Sequence, residues 1–152
     1  MVAYTTNGGY TQGMFERCLY FNVNALARAV NRIWDQAFKE FGLSPAHAYL
    51  MRLVLAEPGV SQKAIAEELK LEKSTITRFV DSLQEKGLLK RSKTGVQDSR
   101  EQRVFATEKA KRMHAALEKK GDELYQTMCK KLGKNEIRSL VVQLREAGKT
   151  LA

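Results

Sequence analysis

The sequence predicts a mainly α-helical chain with a small β component, an α+β arrangement, and three observations predict it. Apolar residues recur at steps of three and four along most of its length, the spacing that gathers them on one face of a helix. Two such periods within residues 61–87 are short, and the stretch between them, Lys70 to Lys73, holds Leu71 as its single apolar residue, so a turn joins two helices there. Directly behind this pair, Leu88–Arg91 and Arg103–Ala106 read as two short strands about a polar turn containing Gly95. A helix pair followed at once by a hairpin is a winged helix-turn-helix, here flanked by long helices at both ends of the chain.

Taken in order, residues 1–13 place Gly8, Gly9 and Gly13 among Thr, Asn and Tyr with no sustained period, and a flexible arm is expected. Over residues 14–41, Phe15, Leu19, Val23, Leu26, Val30, Ile33, Ala37 and Phe41 keep helical spacing, Trp34 and Phe38 widen the stripe, and Gly42 ends it. Ser44 caps the next helix with Pro45 at its first position; it carries Tyr49, Leu50, Leu53 and Val54 as far as the Pro58-Gly59 break. Ser61 caps the first helix of the pair, with Ala64, Ile65 and Leu69 on one face. In the second helix Ile76, Phe79, Val80 and Leu83 form the apolar stripe. At 100° per residue, Ser74, Arg78, Asp81 and Glu85 point away from that stripe while Thr75, Thr77 and Ser82 flank it. Gly87 stops this helix. After the hairpin, Thr107 caps a long helix through Ala110, Met113, Leu117, Gly121, Leu124, Met128 and Leu132, which Gly133 closes. A last helix, about 135–151, carries Ile137, Leu140, Val141, Leu144, Ala147 and Leu151.

Three regions follow from this order: the arm, 1–13; a helical region for dimerisation, 14–42 with 107–152; and a winged helix-turn-helix lobe, 43–106. Apolar stripes on long helices outside the compact central motif need something to cover them. Pairing with the same helices of a second copy would bury both, so a homodimer is expected, and two-fold symmetry suits a palindromic duplex.

Composition narrows the class. The 152 residues are one domain in size, 43% hydrophobic and 28% charged. No apolar run reaches the length of a membrane span and no secretion signal opens the chain, so a cytoplasmic protein with no membrane partner is expected. The net charge of +9 is distributed as +1 over residues 1–60, +5 over 61–112 and +3 over 113–152. Its peak therefore coincides with the helix pair and hairpin. Residues 86–103 alone hold Lys86, Lys90, Arg91, Lys93, Arg100 and Arg103 against Asp98 and Glu101. A basic excess by itself fits nucleic acid, an anionic membrane or an acidic protein; coincidence with a groove-sized motif favours double-stranded DNA. On that reading the hydroxyls and Arg78 near the start of the second helix meet base edges, and the wing cations meet phosphates.

Cys18 and Cys129 form no Cys-x-x-Cys pair, and His47 and His114 are isolated, so neither a metal site nor a cofactor is expected. No Ser/His/Asp set or glycine-rich phosphate loop is written, and an enzyme is not expected. The competing class is a winged-helix module that contacts proteins, which tends to carry an acidic or apolar second-helix face and wing, unlike this chain.

The residues Leu43-Ser44-Pro45, Pro58-Gly59-Val60-Ser61-Gln62, Ile65-Ala66, Lys73-Ser74-Thr75-Ile76-Thr77-Arg78, Leu83-Gln84-Glu85-Lys86-Gly87-Leu88, Asp98-Ser99-Arg100 and Thr107-Glu108-Lys109 resemble the MarR family of bacterial transcriptional regulators. The resemblance implies a winged-helix homodimer on a pseudo-palindromic operator, usually a repressor relieved by a small phenolic or other anionic ligand, or by thiol oxidation. Carried over, Ser74, Thr75, Thr77 and Arg78 enter the major groove beside Lys73. Asp98 holds Arg100 in a wing that reaches the minor groove, with Arg91 and Lys93 among its cations. Phe105-Ala106-Thr107 departs from the family's usual leucine before the threonine, and Ala110 stands where glycine is common. Tyr20, Trp34, His47 and Arg52 are the candidates for the effector cavity. Cys18, in Arg17-Cys18-Leu19-Tyr20-Phe21, loosely resembles the sensing stretch of the family's organic-hydroperoxide branch and is the candidate redox residue.

Overall fold

The structure is a computed structural model that describes Gly13, residues 15–92 and residues 102–152. The rest of the expected arm, and the expected wing contacts Lys93, Asp98 and Arg100, lie outside the described residues. Six α-helices and three short strands follow one another among the described residues: α1 (Leu19–Phe38), α2 (Pro45–Ala56), β1 (Val60–Ser61), α3 (Gln62–Leu69), α4 (Lys73–Glu85), β2 (Leu89–Ser92), β3 (Arg103–Ala106), α5 (Glu108–Leu132) and α6 (Lys134–Leu151). The mainly α winged helix-turn-helix expected from the pattern is the fold observed.

Local chemistry sets most boundaries. Ser44, Ser61 and Thr107 each accept the backbone N–H three residues on, capping α2, α3 and α5. Gly42 adopts φ 65° after a single 3-10 turn, Lys39–Phe41. At the other expected turn the left-handed residue is a lysine: Lys70, φ 53°, ends α3 and its N–H reaches the carbonyls of Ala66 and Glu67.

Two features differ from expectation. The first helix begins at Leu19 rather than near residue 14, where the Asn22 Nδ2 lies 3.0, 3.2 and 2.9 Å from the carbonyls of Phe15, Glu16 and Cys18 and shares its two hydrogens among them. The Phe15 and Glu16 carbonyls are thereby held in a turn, and the helical ladder starts only at the Cys18 carbonyl, which also accepts the Asn22 N–H at 3.1 Å. The hairpin also gains a third strand: β1 pairs antiparallel with β3, Val60 opposite Val104, giving the order β1-β3-β2 with Leu89 opposite Ala106.

The core lies where α2, α3, α4, the sheet and the first half of α5 converge. Leu50, Met51, Val54, Ile65, Ile76, Val80, Leu83, Val104 and Leu117 are all fully enclosed. Thr107 fastens α5 to the end of the helix pair: its N–H donates to the Leu88 carbonyl at 3.0 Å, its hydroxyl to Gly87 at 2.8 Å, and Lys109 Nζ to Lys86 at 2.9 Å. The outer helices are different. In α1 only Phe38 is buried and in α6 no residue is, while Leu19, Val23 and Leu26 of α1 and Val141, Val142 and Leu144 of α6 stand exposed.

Candidate nucleic-acid interface

Packing of Ile76, Val80 and Leu83 into the core fixes how α4 presents its other side. Lys73, Ser74, Arg78, Asp81 and Glu85 are exposed, and Thr75 and Thr77 are half-buried along the edges. Glu72 makes no side-chain cap at the start of α4, where Lys73 stands exposed. Such an end carries partial positive charge and suits a phosphate. Among the described residues no ion pair engages Lys73 or Arg78, so both cations are available to a ligand.

The hydroxyls divide. Ser74 and Thr75 project at the start of the helix, whereas Thr77 Oγ1 lies 3.0 Å from the Lys73 carbonyl and 3.2 Å from Gln62 Oε1, one of which takes its proton. Gln62 in turn donates from Nε2 to Gln102 Oε1 at 3.3 Å. Polar side chains therefore run from Gln102 at the base of the wing through Gln62, the first residue of α3, to within 3.2 Å of Thr77 on the edge of α4. Neither Gln62 nor Gln102 was legible as a site residue, since glutamine at a helix start and beside a hairpin is ordinary in sequence.

Arg91 stands apart from the other residues expected to meet DNA. Its side chain is only 17% exposed, and Nη1 forms an ion pair with Asp81 Oδ1 at 2.6 Å. The same nitrogen donates to Gln84 Oε1, and Nη2 donates to the Thr77 carbonyl at 3.2 Å. It is turned onto α4. The neighbouring Lys90 of β2 is exposed, and Arg103 of β3 donates from Nη1 to the Gly59 carbonyl at 3.1 Å.

The four effector candidates are not brought to one place. Trp34 Nε1 donates to Tyr49 Oη at 3.2 Å, and the Arg52 guanidinium sits 5.5 Å from the centre of the Tyr49 ring, so these two residues share Tyr49. Arg52 is also clamped to α5 by a bidentate pair with Glu118, Nε to Oε1 at 2.7 Å and Nη2 to Oε2 at 2.9 Å. The pair raises the guanidinium's pKa and lowers that of the Glu118 carboxyl, mainly through the hydrogen bonds and secondarily, against the cost of burial, through charge. Gly121 makes room for it: a Cβ there would lie 2.7 Å from Arg52 Nη1. His47 occupies another face of α2, edge-on to Phe79 of α4 at 4.7 Å between ring centres. Burial, and then the charge of Lys86, lower its pKa. Tyr20 is 79% exposed near the start of α1, about 21 Å along the helix from Trp34.

A separate open cleft of about 300 Å³ lies against Leu53, Glu57, Val60, Ala64, Glu67 and Glu68, and its three carboxylates disfavour an anion. None of the four effector candidates lines it. Cys18 caps α1, its Sγ accepting the Phe21 N–H at 3.5 Å, and is half-buried. Among the described residues no cluster of His, Cys, Asp and Glu forms a metal site, and no helix is long and apolar enough to cross a membrane.

Comparison with known proteins agrees with this geometry. A sequence profile of the MarR family matches residues 41–101. The uncharacterized HTH-type transcriptional regulator YybA of Bacillus subtilis (strain 168) is 28% identical over 101 residues, covering 66% of each chain. The crystal structure of the transcriptional regulator SlyA superposes with a TM-score of 0.75 at 26% identity, over 88% of this chain and 94% of that one. The PcaV transcriptional regulator from Streptomyces coelicolor, solved in complex with its natural ligand, has the same fold, with a TM-score of 0.81 at 23% identity over 93% and 99% of the two chains.

Proposed function

We propose that this chain, which matches the MarR family profile over residues 41–101 and shares its fold with the regulator SlyA, is a winged-helix, DNA-binding transcriptional regulator of that kind, acting in the cytoplasm as a homodimeric repressor of a pseudo-palindromic operator and released by a small anionic or phenolic ligand. The observation that carries the reading is the outer face of α4: Lys73, Ser74, Thr75 and Arg78 project together from a helix whose other face is locked into the core, beside a basic hairpin. One copy of such a helix fits one major groove, and two copies related by a two-fold axis read two half-sites about one helical turn apart. The exposed apolar faces of α1 and α6 support the pairing. In the wing, Lys93, Asp98 and Arg100 complete the contact, with Arg100 in the minor groove. Bound operator is closed to transcription.

Release draws its support from Arg52. Its guanidinium lies over Tyr49, near Trp34, and already holds a carboxylate, that of Glu118. An aromatic acid would stack on the rings and exchange its own carboxylate for Glu118, loosening α2 from α5. PcaV, similar in fold, was solved with its natural ligand.

Selection of duplexes from a random pool tests the first half of the reading: a recovered palindrome supports it, and enrichment of single half-sites rejects the dimer. Arg78→Ala is expected to lose about 1 to 3 kcal/mol on the selected duplex and to relax discrimination at one base position. Undiminished binding by that variant at moderate salt would remove Arg78 from the base-reading set. A panel of benzoates and phenols that leaves the DNA complex intact at millimolar concentration would reject the release mechanism.

A second reading rests on Cys18, whose sulfur already accepts a backbone N–H at the start of α1. Oxidant sensing through it predicts that peroxide releases wild type but not Cys18→Ser from the selected duplex; equal behaviour ends this reading.

A further inference from the structure

The reading helix carries two carboxylates on the side that faces a duplex, Asp81 and Glu85, and a duplex is a polyanion. Asp81 is half-exposed, at 53%, in the same row as Ser74 and Arg78, so left alone it would oppose the contact those residues make. It is not left alone. Arg91 reaches across from β2 and places Nη1 2.6 Å from its Oδ1, while the same guanidinium bonds Gln84 and the Thr77 carbonyl. Nε is enclosed and lacks a partner among the described residues, so the head group is sunk between strand and helix rather than extended toward a phosphate.

We propose that Arg91 is a positioning residue for recognition: it cancels the charge of Asp81 and braces the second half of α4 against the wing, and it does not itself contact DNA. This rests on the DNA-reading role of α4 proposed above. Three bonds from one planar group to residues 77, 81 and 84 span two turns of the helix and fix its rotation about its own axis. That rotation decides which side chains meet base edges, so the effect of Arg91 falls on discrimination between sequences. A phosphate contact would act on all duplexes alike.

The test uses the full chain, the duplex that wild type selects from a random pool, and a scrambled duplex of equal length. Arg91→Gln is expected to bind the selected duplex about tenfold more weakly, since it uncovers Asp81 and releases the brace. Adding Asp81→Asn is expected to restore about threefold of that loss, because the uncovered charge is gone. The double variant should keep the wild-type dependence of log affinity on log salt. A salt slope lower by about 0.9 in the double variant, the signature of one lost phosphate contact, would overturn the proposal, as would a loss from Arg91→Gln that is equal on both duplexes. Melting of each variant without DNA confirms folding. Should Arg91→Gln not fold, Asp81→Asn alone decides: a smaller ratio of selected to scrambled affinity supports the brace, and uniform tightening on both duplexes rejects it. A wild type that selects no duplex counts against the DNA-reading role of α4, and a selected duplex with the rejecting results counts against Arg91 alone.

Discussion

Leu50 in α2 and Leu144 in α6 are the same side chain on the apolar faces of two helices, yet the first is wholly enclosed and the second is 44% exposed. The contrast extends to their surroundings. From Leu43 to Ala106, with support from Phe38 and the first half of α5, apolar groups find each other within one chain. In α1 and α6 the same periodicity leaves Leu19, Val23, Val141, Val142 and Leu144 facing outward. Burial of apolar surface is what makes a helix worth its conformational entropy. A helix such as α6, with no buried residue, therefore points to a cover that the single chain does not supply.

The sharpest way to break this contrast is Leu50→Ala. It should cost about 2 to 5 kcal/mol of unfolding free energy, independent of protein concentration, since the cavity lies inside one chain. Denaturant titration showing a loss under about 1 kcal/mol would mean the lobe is not the self-sufficient half. Next comes Val141→Glu combined with Leu144→Glu. If α6 pairs with a second copy, sedimentation should report a monomer, and affinity for the selected duplex should fall by about 100-fold as two linked half-site contacts become one. A variant that stays dimeric places the interface elsewhere.

A smaller effect joins the two regions. Glu118→Gln removes the charge opposite Arg52 and should cost no more than about 1 kcal/mol, because the pair is partly solvated. Its pH dependence has a definite sign. The Glu118 pKa is lowered in the fold, so its contribution is complete above the ordinary carboxylate range and is lost as pH falls through the lowered value. Wild type and Glu118→Gln should thus differ in melting temperature at neutral pH and converge in acid; a constant gap would separate the effect from ionisation. The smallest is His47. Its lowered pKa means the unfolded chain takes up a proton first as pH drops below about 6.5, so stability falls there and levels off below the folded value. His47→Gln should melt with a shallower dependence between about pH 7.5 and about pH 5.5.

What could be read in advance was what local chemistry decides. Ser44, Ser61 and Thr107 cap helices, and Gly42, Gly87 and Gly133 follow helix ends, where their neighbours said they would, because a cap is settled within four residues. The exposed row Ser74, Arg78, Asp81 and Glu85 also follows from helical geometry alone. Where the outcome hung on distant residues, the sequence was silent. The two residues of β1 are too few to show alternation and owe their state to β3, more than forty positions away. Gly121 reads as a gap in an apolar stripe until Arg52, from another helix, is found lying against it. Arg91 counted among the wing cations, and only the fold of β2 beside α4 shows that its charge is spent on Asp81. Of the effector candidates, Trp34 and Arg52 meet through Tyr49, a residue that the pattern assigned to packing.

The bonds around Thr107 have a mechanical consequence. Helix α5 is about 37 Å of stiff rod, and its first turn is fastened to Lys86, Gly87 and Leu88. Only Thr107 separates it from β3, the middle strand of the sheet. Pivoting that rod by about 5° about its far end carries the near end roughly 3 Å. The strand, the hairpin and the end of α4 must travel together as its load. In the homodimer proposed above, a small torque applied where Glu118 meets Arg52, part-way along the rod, would alter the spacing of the two α4 helices without disturbing the shape of either lobe.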